Sequence, residues 1–133
     1  MATTTATLTI SSADLTSNPL AITTSSTLYK AGTTIGLEQT TGLSKKVYAA
    51  AQSNTALIDA GDYADNTHSR VYIRNSGSSS TAYFTIELGA NNIVIGRLYG
   101  GDFLFIPYEG EQTIKISSST TNMELEFMVI NEG

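Results

Sequence analysis

The chain lacks the residue types on which most enzymatic and metal chemistry depends. Its 133 residues include no cysteine, no tryptophan and a single histidine, His68, which lies in a polar segment between Thr67 and Ser69. Without cysteine, neither a disulfide nor a thiolate metal site can form. A Ser-His-Asp triad needs that one imidazole beside a nucleophile, and a cupin-type metal site needs several histidines. The sequence therefore predicts a protein that is not an enzyme and has no cofactor.

Charge is also scarce. Charged residues make up 14% of the chain, against about 25% in an average globular domain, and the net charge is −5. So few basic residues argue against binding to nucleic acid. No apolar run approaches the length of a membrane span, and the N-terminus lacks the features of a secretory signal. Threonine and serine supply about a quarter of the residues instead, and a weakly charged polar surface of this kind is typical of assemblies in which many copies lie side by side.

What the chain does have is alternation of apolar and polar residues between residues 70 and 130. Val71 and Ile73 alternate with polar neighbours, and three later segments show the same period of two. This period predicts antiparallel sheet with one buried face and one solvated face. The expected core positions are Val71, Ile73, Phe84, Ile86, Leu88, Ile114, Ile116, Leu125 and Phe127.

Turn signals punctuate the same region. They recur roughly every 8–12 residues, a spacing typical of a β-sandwich or barrel, and residues 99–102 have the composition of a hairpin turn. We expect one all-β domain over residues 35–133, an antiparallel, jelly-roll-like sandwich. Residues 93–95 and 103–106 are continuous apolar runs. Such runs indicate either central strands covered on both faces or strands packed at a subunit contact.

The first 34 residues have a different composition, rich in threonine and poor in bulky apolar residues. Ala6, Leu8 and Ile10 alternate with threonine, Asn18-Pro19 is a turn signal, and a second short strand is expected at Leu20 and Ile22. This segment is either an extended arm on the domain or on a neighbour, or the first hairpin of the sandwich. Beyond it, a strand is expected to open at Ile35 and Leu37, and residues 47–51 are either a strand or a short helix.

Three groups of polar or aromatic residues are candidate sites. Asp59, Asp62 and Asp65 could place carboxylates around Ca²⁺, although their spacing is not that of an EF-hand and a solvated loop explains them equally. Glu124 and Glu126 lie on one face of one strand, which favours a charged sheet face over a glycosidase pair. The seven tyrosines could form a sugar-binding or protein-binding surface.

Several strands and turns follow one another in an order that resembles a known group of proteins. The segments are a strand ending in Arg74-Asn75, the segment at residues 83–89, a Gly-x-Leu-x-x-Gly-Asp sequence at residues 96–102, a Phe-x-Pro-Tyr sequence at residues 105–108, and the strand at residues 123–128. Together they resemble small virion proteins of tailed bacteriophages, especially marine and cyanobacterial phages. The resemblance covers roughly residues 70–130 and implies a jelly-roll-like sandwich without catalytic residues.

The resemblance also implies a function and partners. We expect a capsid decoration protein on the virion surface that binds the major capsid protein across neighbouring subunits and associates with copies of itself as a homotrimer. A tail or fibre component, with receptor binding, is the alternative, and a carbohydrate-binding module is a more distant one. The candidate partner-binding residues are Thr5, Thr7, Leu8, Ile10, Phe103, Phe105 and Tyr108.

Overall fold

The computed structural model describes residues 3–30, 32–37, 39–63 and 69–131, and the regular structure in these ranges is β-strand. The strands are β1 Thr5–Ser12, β2 Leu20–Thr27, β3 Gln39–Thr40, β4 Ser44–Tyr48, β5 Thr55–Ile58, β6 Ser69–Asn75, β7 Tyr83–Leu88, β8 Ile93–Tyr99, β9 Phe103–Tyr108, β10 Ile114–Ser118 and β11 Met123–Asn131. In this part of the chain there is accordingly no helix that is long and apolar enough to cross a membrane.

Two antiparallel sheets form the sandwich. One has the strand order β5-β10-β7-β8, and the other has the order β4-β11-β6-β9, with β3 continuing the β4 edge along β11. From β4 to β11, consecutive strands lie in opposite sheets, except for β7 and β8, which form a hairpin. The prediction of an antiparallel all-β sandwich is confirmed.

The core lies between the two inner faces, where the alternation placed it. Leu88 and Phe127 are only partly buried and pack against the margin of the core. The other seven expected core residues are completely buried: Val71, Ile73, Phe84, Ile86, Ile114, Ile116 and Leu125. Each such side chain contributes about 1.5–3 kcal/mol through its removal from water, so these positions account for much of the stability of the sandwich.

Three asparagines shape the tight connections. Asn54, Asn92 and Asn122 have φ values of 49°, 50° and 53°, a left-handed conformation that asparagine tolerates better than most residues. Asn92 closes the turn between β7 and β8 by donating its backbone N–H to the carbonyl oxygen of Gly89 at 3.2 Å. The turn expected there is therefore present.

The connection at residues 99–102 is a turn, but it is not a hairpin. Asp102 donates its backbone N–H to the carbonyl oxygen of Tyr99 at 2.9 Å, and the Asp102 carboxylate accepts the N–H of Tyr99 at 2.9 Å. The strands on either side, β8 and β9, pair in different sheets. The expected hairpin is wrong because the same local turn chemistry here carries the chain from one sheet to the other.

Two expectations for residues 35–51 also differ from the structure. Ile35 and Leu37 do not open a strand, since this segment forms only an isolated bridge between Gly36 and Tyr29, and β3 begins at Gln39. β4 ends at Tyr48, so residues 49–51 are neither strand nor helix. The carbonyl oxygen of Ala49 accepts the N–H of Asn122 at 3.2 Å, where the chain leaves the sheet edge and turns towards β5.

Both continuous apolar runs lie on edge strands. Within the described ranges, β8 pairs only with β7, and β9 pairs only with β6. The interpretation of these runs as central strands is therefore wrong. Leu104 and Ile106 pack against the core, but the other side chains of the two runs are exposed, for example Ile93 at 63% and Phe103 at 56%.

Candidate partner-binding groove

The N-terminal segment forms a hairpin of its own. β1 and β2 pair along their full length, from Thr5 with Thr27 to Ser12 with Leu20. In the part of the chain that the structure describes, this hairpin pairs with neither sandwich sheet. It is thus neither a single extended arm nor a strand pair within the sandwich sheets.

The hairpin has two chemically different faces, because side chains alternate along each strand and paired residues share a face. One face carries hydroxyl groups, and the Oγ atoms of Thr7 and Ser25 lie 2.9 Å apart across the strands. The other face carries Ala6, Leu8, Ile10, Leu20 and Ile22. Leu8, Ile10 and Ile22 are 44–46% exposed, so the hairpin has apolar surface that it does not bury.

The base of the hairpin is fixed by three residues. Leu28 and Leu37 are 2% and 0% exposed, respectively. Leu28 donates its backbone N–H to the carbonyl oxygen of Thr4, and Leu37 donates its own to that of Leu28, each at 2.9 Å. The hydroxyl of Thr4 donates to the carbonyl oxygen of Leu37 at 3.1 Å. These hydrogen bonds hold the hairpin at its base.

A groove of about 680 Å³ runs between the hairpin and the outer face of the β11-β6-β9 region of the sandwich. The β1–β2 hairpin forms one wall, and the sheet forms the other. The lining residues are Thr4, Thr5, Ala6, Thr7, Leu8, Thr9, Thr24, Ser26, Leu28, Tyr72, Phe103, Leu104, Phe105, Met128 and Ile130. None of these side chains is charged, so the groove suits an uncharged partner with apolar side chains.

The structure brings together five of the seven residues predicted from sequence. Thr5, Thr7 and Leu8 line one wall of the groove, and Phe103 and Phe105 line the other.

The remaining two predicted residues lie elsewhere. Ile10 is on the apolar face of the hairpin but beyond the groove lining. Tyr108 is only 8% exposed, and its hydroxyl donates to the backbone carbonyl oxygen of Gln112 at 2.9 Å. Its ring packs edge-on against Tyr63. Tyr108 therefore belongs to the core, because it points inwards from β9 while Phe105 points outwards.

Of the three further residues that form the sheet wall of the groove, Tyr72 is one of the seven tyrosines considered as a binding surface, whereas sequence reasoning missed Met128 and Ile130. A signal for these two is present in the sequence. The alternation of β11 breaks down after Glu126, and residues 127–130 are continuously apolar. Continuous apolar residues indicate a strand covered on both faces. Here one face of β11 packs on the core, and the other, with Met128 and Ile130, lines the groove opposite the hairpin.

Ion pairs border the groove on the same outer face. The Tyr72 hydroxyl donates to Glu126 Oε1 at 3.1 Å, and Arg74 Nη1 lies 3.5 Å from that oxygen. Burial, and then the hydrogen bond to Glu126, raises the pKa of Tyr72, so its hydroxyl remains a donor. Lys45 Nζ lies 3.1 Å from Glu124 Oε1. Glu124 and Glu126 each have a cationic neighbour, an arrangement expected of a charged sheet face.

The carboxylates of the calcium hypothesis are only partly described. Asp59 and Asp62 share a turn in which the N–H of Asp62 donates to the carbonyl oxygen of Asp59 at 3.3 Å. Asp65 and His68 lie outside the described residues. Among the residues that are described, no three His, Cys, Asp or Glu side chains are grouped so that they could hold a metal ion.

Comparison with known proteins gave no match to a protein-family model, to a curated protein or to a solved structure.

Proposed function

We propose that this protein is a non-enzymatic structural component of a tailed-phage virion, a capsid decoration protein that sits on the capsid surface and binds across neighbouring subunits of the major capsid protein. The observation that carries the proposal is the uncharged groove between the N-terminal hairpin and the sandwich. In this proposal the groove and the hairpin receive a segment of the capsid, and association into a homotrimer provides several attachment points.

The connectivity of the sandwich supports this assignment. Consecutive strands from β4 to β11 alternate between sheets, apart from the β7–β8 hairpin. This alternation is what two interlocking Greek keys produce, as in the jelly rolls common in capsid proteins. A fold alone does not establish a function, so the groove remains the principal argument.

The distribution of exposed apolar residues favours the capsid over a receptor-binding tail tip. A tip would present aromatic side chains at the ends of loops. Here the exposed phenylalanines, Phe103 and Phe105, lie on the edge strand β9, and further exposed apolar residues lie on β8 and the hairpin. Edge strands and hairpins of this kind are suited to lateral contacts with neighbouring chains.

The hairpin offers a physical route to binding. Among the described residues β1 pairs only with β2, so its second edge is open to an extended strand of the partner, with main-chain hydrogen bonds supplying affinity. Three linked copies would raise the effective concentration of the second and third contacts, so each single contact can be weak. Because the groove is uncharged, binding should depend little on salt.

Removing the hairpin is expected to weaken attachment to capsids strongly. Residues 5–27 can be excised and Thr4 joined to Leu28 through Asn-Gly, because the carbonyl oxygen of Thr4 and the N–H of Leu28 already face each other at 2.9 Å, as across a two-residue turn. Mixed with undecorated capsids in a sedimentation assay, the shortened protein should bind at least about tenfold more weakly, a loss of about 1.4 kcal/mol or more.

A pair of leucine variants separates the groove from the rest of the hairpin. Leu8 lines the groove, whereas Leu15 is 73% exposed in the β1–β2 connection and outside the groove. Leu8→Lys should weaken capsid binding, and Leu15→Lys should not. Full-strength binding by the shortened protein would reject the hairpin as the attachment site. Binding of the intact protein to tails or host cells, and not to capsids, would favour the tail alternative.

A further inference from the structure

The edge of β1, and not only one of its faces, forms part of the groove between the hairpin and the sandwich. All six residues from 4 to 9 line the groove, whereas β2 and the residue after it contribute only the alternate positions Thr24, Ser26 and Leu28. A strand that presents one face shows alternate residues, and a strand that presents its edge shows an unbroken row. The groove therefore contains the edge of β1 that does not pair with β2.

The two faces of the hairpin lead to the same conclusion. Ala6 and Leu8 lie on the hairpin face that is turned to the groove. Thr5, Thr7 and Thr9 alternate with them, so their side chains leave on the opposite face, yet these three residues line the groove as well. They reach the groove through their main chain.

The hydrogen-bond register shows which backbone groups this edge presents. The N–H of Leu28 donates to the carbonyl oxygen of Thr4 at 2.9 Å, and the ladder between β1 and β2 continues from there without a shift. Hydrogen-bonded and non-hydrogen-bonded pairs alternate along an antiparallel ladder. The N–H and C=O groups of Thr5, Thr7 and Thr9 therefore point away from β2 and into the groove.

This edge is unguarded and faces an apolar wall. Natural edge strands are protected by charge, by proline or by shortness, and the eight residues of β1 include no charge and no proline. Across the groove, Tyr72 pairs with both Phe105 and Met128, so the three side chains share the outer face of the sheet. A strand added to β1 would bury one set of its side chains against this wall. A strand added to the far edge of β2 would lie outside the groove.

We infer that the groove takes an extended strand of the partner, which pairs with the free edge of β1 and alternates apolar with uncharged polar side chains. The inference rests on the proposed function for the identity of the partner, and it adds the atoms that bind and the sequence pattern that they select. A helix satisfies its backbone groups internally, so a partner helix would leave the N–H and C=O groups of this edge without partners. An extended strand supplies a matching row.

The pattern of the partner strand follows from the two faces of the hairpin. Residues that pair across strands share a face. Partner residues opposite Ala6 and Leu8 therefore face the apolar wall and are apolar. Partner residues opposite Thr5, Thr7 and Thr9 lie on the hydroxyl face and are polar. Because no side chain that lines the groove is charged, charged residues are excluded from the apolar positions.

The test is the binding of two end-capped, uncharged hexapeptides of identical composition. Thr-Leu-Ser-Val-Thr-Leu has the alternation, and Thr-Ser-Thr-Leu-Val-Leu does not. Six extended residues span about 20 Å, which matches the row from residue 4 to residue 9. In a titration followed by amide NMR, the alternating peptide should bind at least about tenfold more tightly. It should also protect the amide hydrogens of Thr5, Thr7 and Thr9 from exchange.

Thr7→Pro and Ser25→Pro are matched variants. The two residues face each other in a non-hydrogen-bonded pair, so each variant removes one outward N–H group and the same contact between their hydroxyl groups. Edge strands tolerate proline at such positions. Only the N–H of Thr7 points into the groove. Thr7→Pro should therefore weaken binding of the alternating peptide at least about tenfold, and Ser25→Pro should leave it unchanged.

Amide spectra report whether the hairpin is folded in each variant. If Thr7→Pro unfolds it, Thr9→Pro and Thr23→Pro replace the first pair, since these residues also face each other. Equal binding by the two members of a pair, equal binding of the two peptides, or no binding of either peptide would overturn the inference.

Capsid binding by the same variants separates this inference from the proposed function. Binding of the alternating peptide, together with no capsid binding by the intact protein, would support the strand and reject the proposed function. Capsid binding that survives Thr7→Pro but is lost on removal of residues 5–27 would support the proposed function and reject the strand.

Discussion

Truncation of Phe84 to alanine is expected to lower the free energy of unfolding by about 3–5 kcal/mol. Phe84 is completely buried. It lies on β7 between Leu98 of β8 and Ser118 of β10, and its ring packs edge-on against Tyr48 with 6.1 Å between centroids. Removal of the phenyl ring leaves a cavity between the two sheets, because the strands paired with β7 on both sides keep it in place. In a thermal melt the midpoint should fall on the order of 10–20 °C.

The chain provides its own controls for this experiment. Phe127 is partly buried at the margin of the core, and Phe103 is 56% exposed on β9. The same substitution should therefore cost less at Phe127 and close to nothing at Phe103. An equal loss at Phe84 and Phe103, or no loss at Phe84, would contradict the arrangement of the inner faces described above.

Gly100→Ala is expected to be the second strongly destabilising change. A Cβ atom at Gly100 would lie 2.6 Å from the backbone oxygen of Ser79 and 2.7 Å from two further backbone atoms of Ser78 and Ser79. Backbone cannot move aside as a flexible side chain can, and the bond from Gly100 N–H to the carbonyl oxygen of Ser79, at 3.0 Å, would be disturbed as well. Overpacking of this kind costs about 1–3 kcal/mol, and at times more.

The matched control is Gly96→Ala in the neighbouring strand. A Cβ atom at Gly96 meets nothing within 4 Å, and the backbone there has no positive φ. Alanine at this position should be neutral, or stabilising by up to about 1 kcal/mol. Urea denaturation of both variants compares them directly. A stable Gly100→Ala protein would mean that the turn between β8 and β9 does not approach the segment at residues 78–79 as closely as the structure indicates.

The sequence predicted the inner faces well because burial follows a local rule. Val71 and Ile73, or Ile114 and Ile116, alternate with polar residues within one strand, and no knowledge of the partner strand is needed to assign them inwards. Phe127 is a partial exception. It obeys the alternation and lies in the middle of β11, paired with Ser44 and Ile73, yet it is only partly buried, and Lys46 Nζ lies 5.7 Å from the centre of its ring.

The sequence did not predict which strands lie at the edges, because strand pairing is non-local. The apolar run of β8 has the composition of a covered central strand as much as that of an exposed edge. Likewise, Tyr99 to Asp102 has the composition of a hairpin turn, although it connects different sheets. Local turn chemistry fixes the reversal of the chain but not the strand that the next segment will pair with.

Several residues that line the groove could be predicted from the sequence, but their meeting in one groove could not. Threonine-rich strand character around Leu8 and the exposed aromatics Phe103 and Phe105 could be identified separately. Their meeting across one groove depends on Thr4, Leu28 and Leu37, which fix the base of the hairpin. These contacts join residues more than twenty positions apart in some cases, and their geometry leaves no periodic signal.

The most direct test of the proposed role is cryo-electron microscopy of tailed-phage particles assembled in the presence of this chain. We expect sandwich-shaped density on the outer surface of the capsid, bridging neighbouring capsid subunits, with the β1–β2 hairpin and its groove facing the shell. Density for the sandwich on the tail or its fibres alone, or capsids that lack the protein altogether, would contradict it.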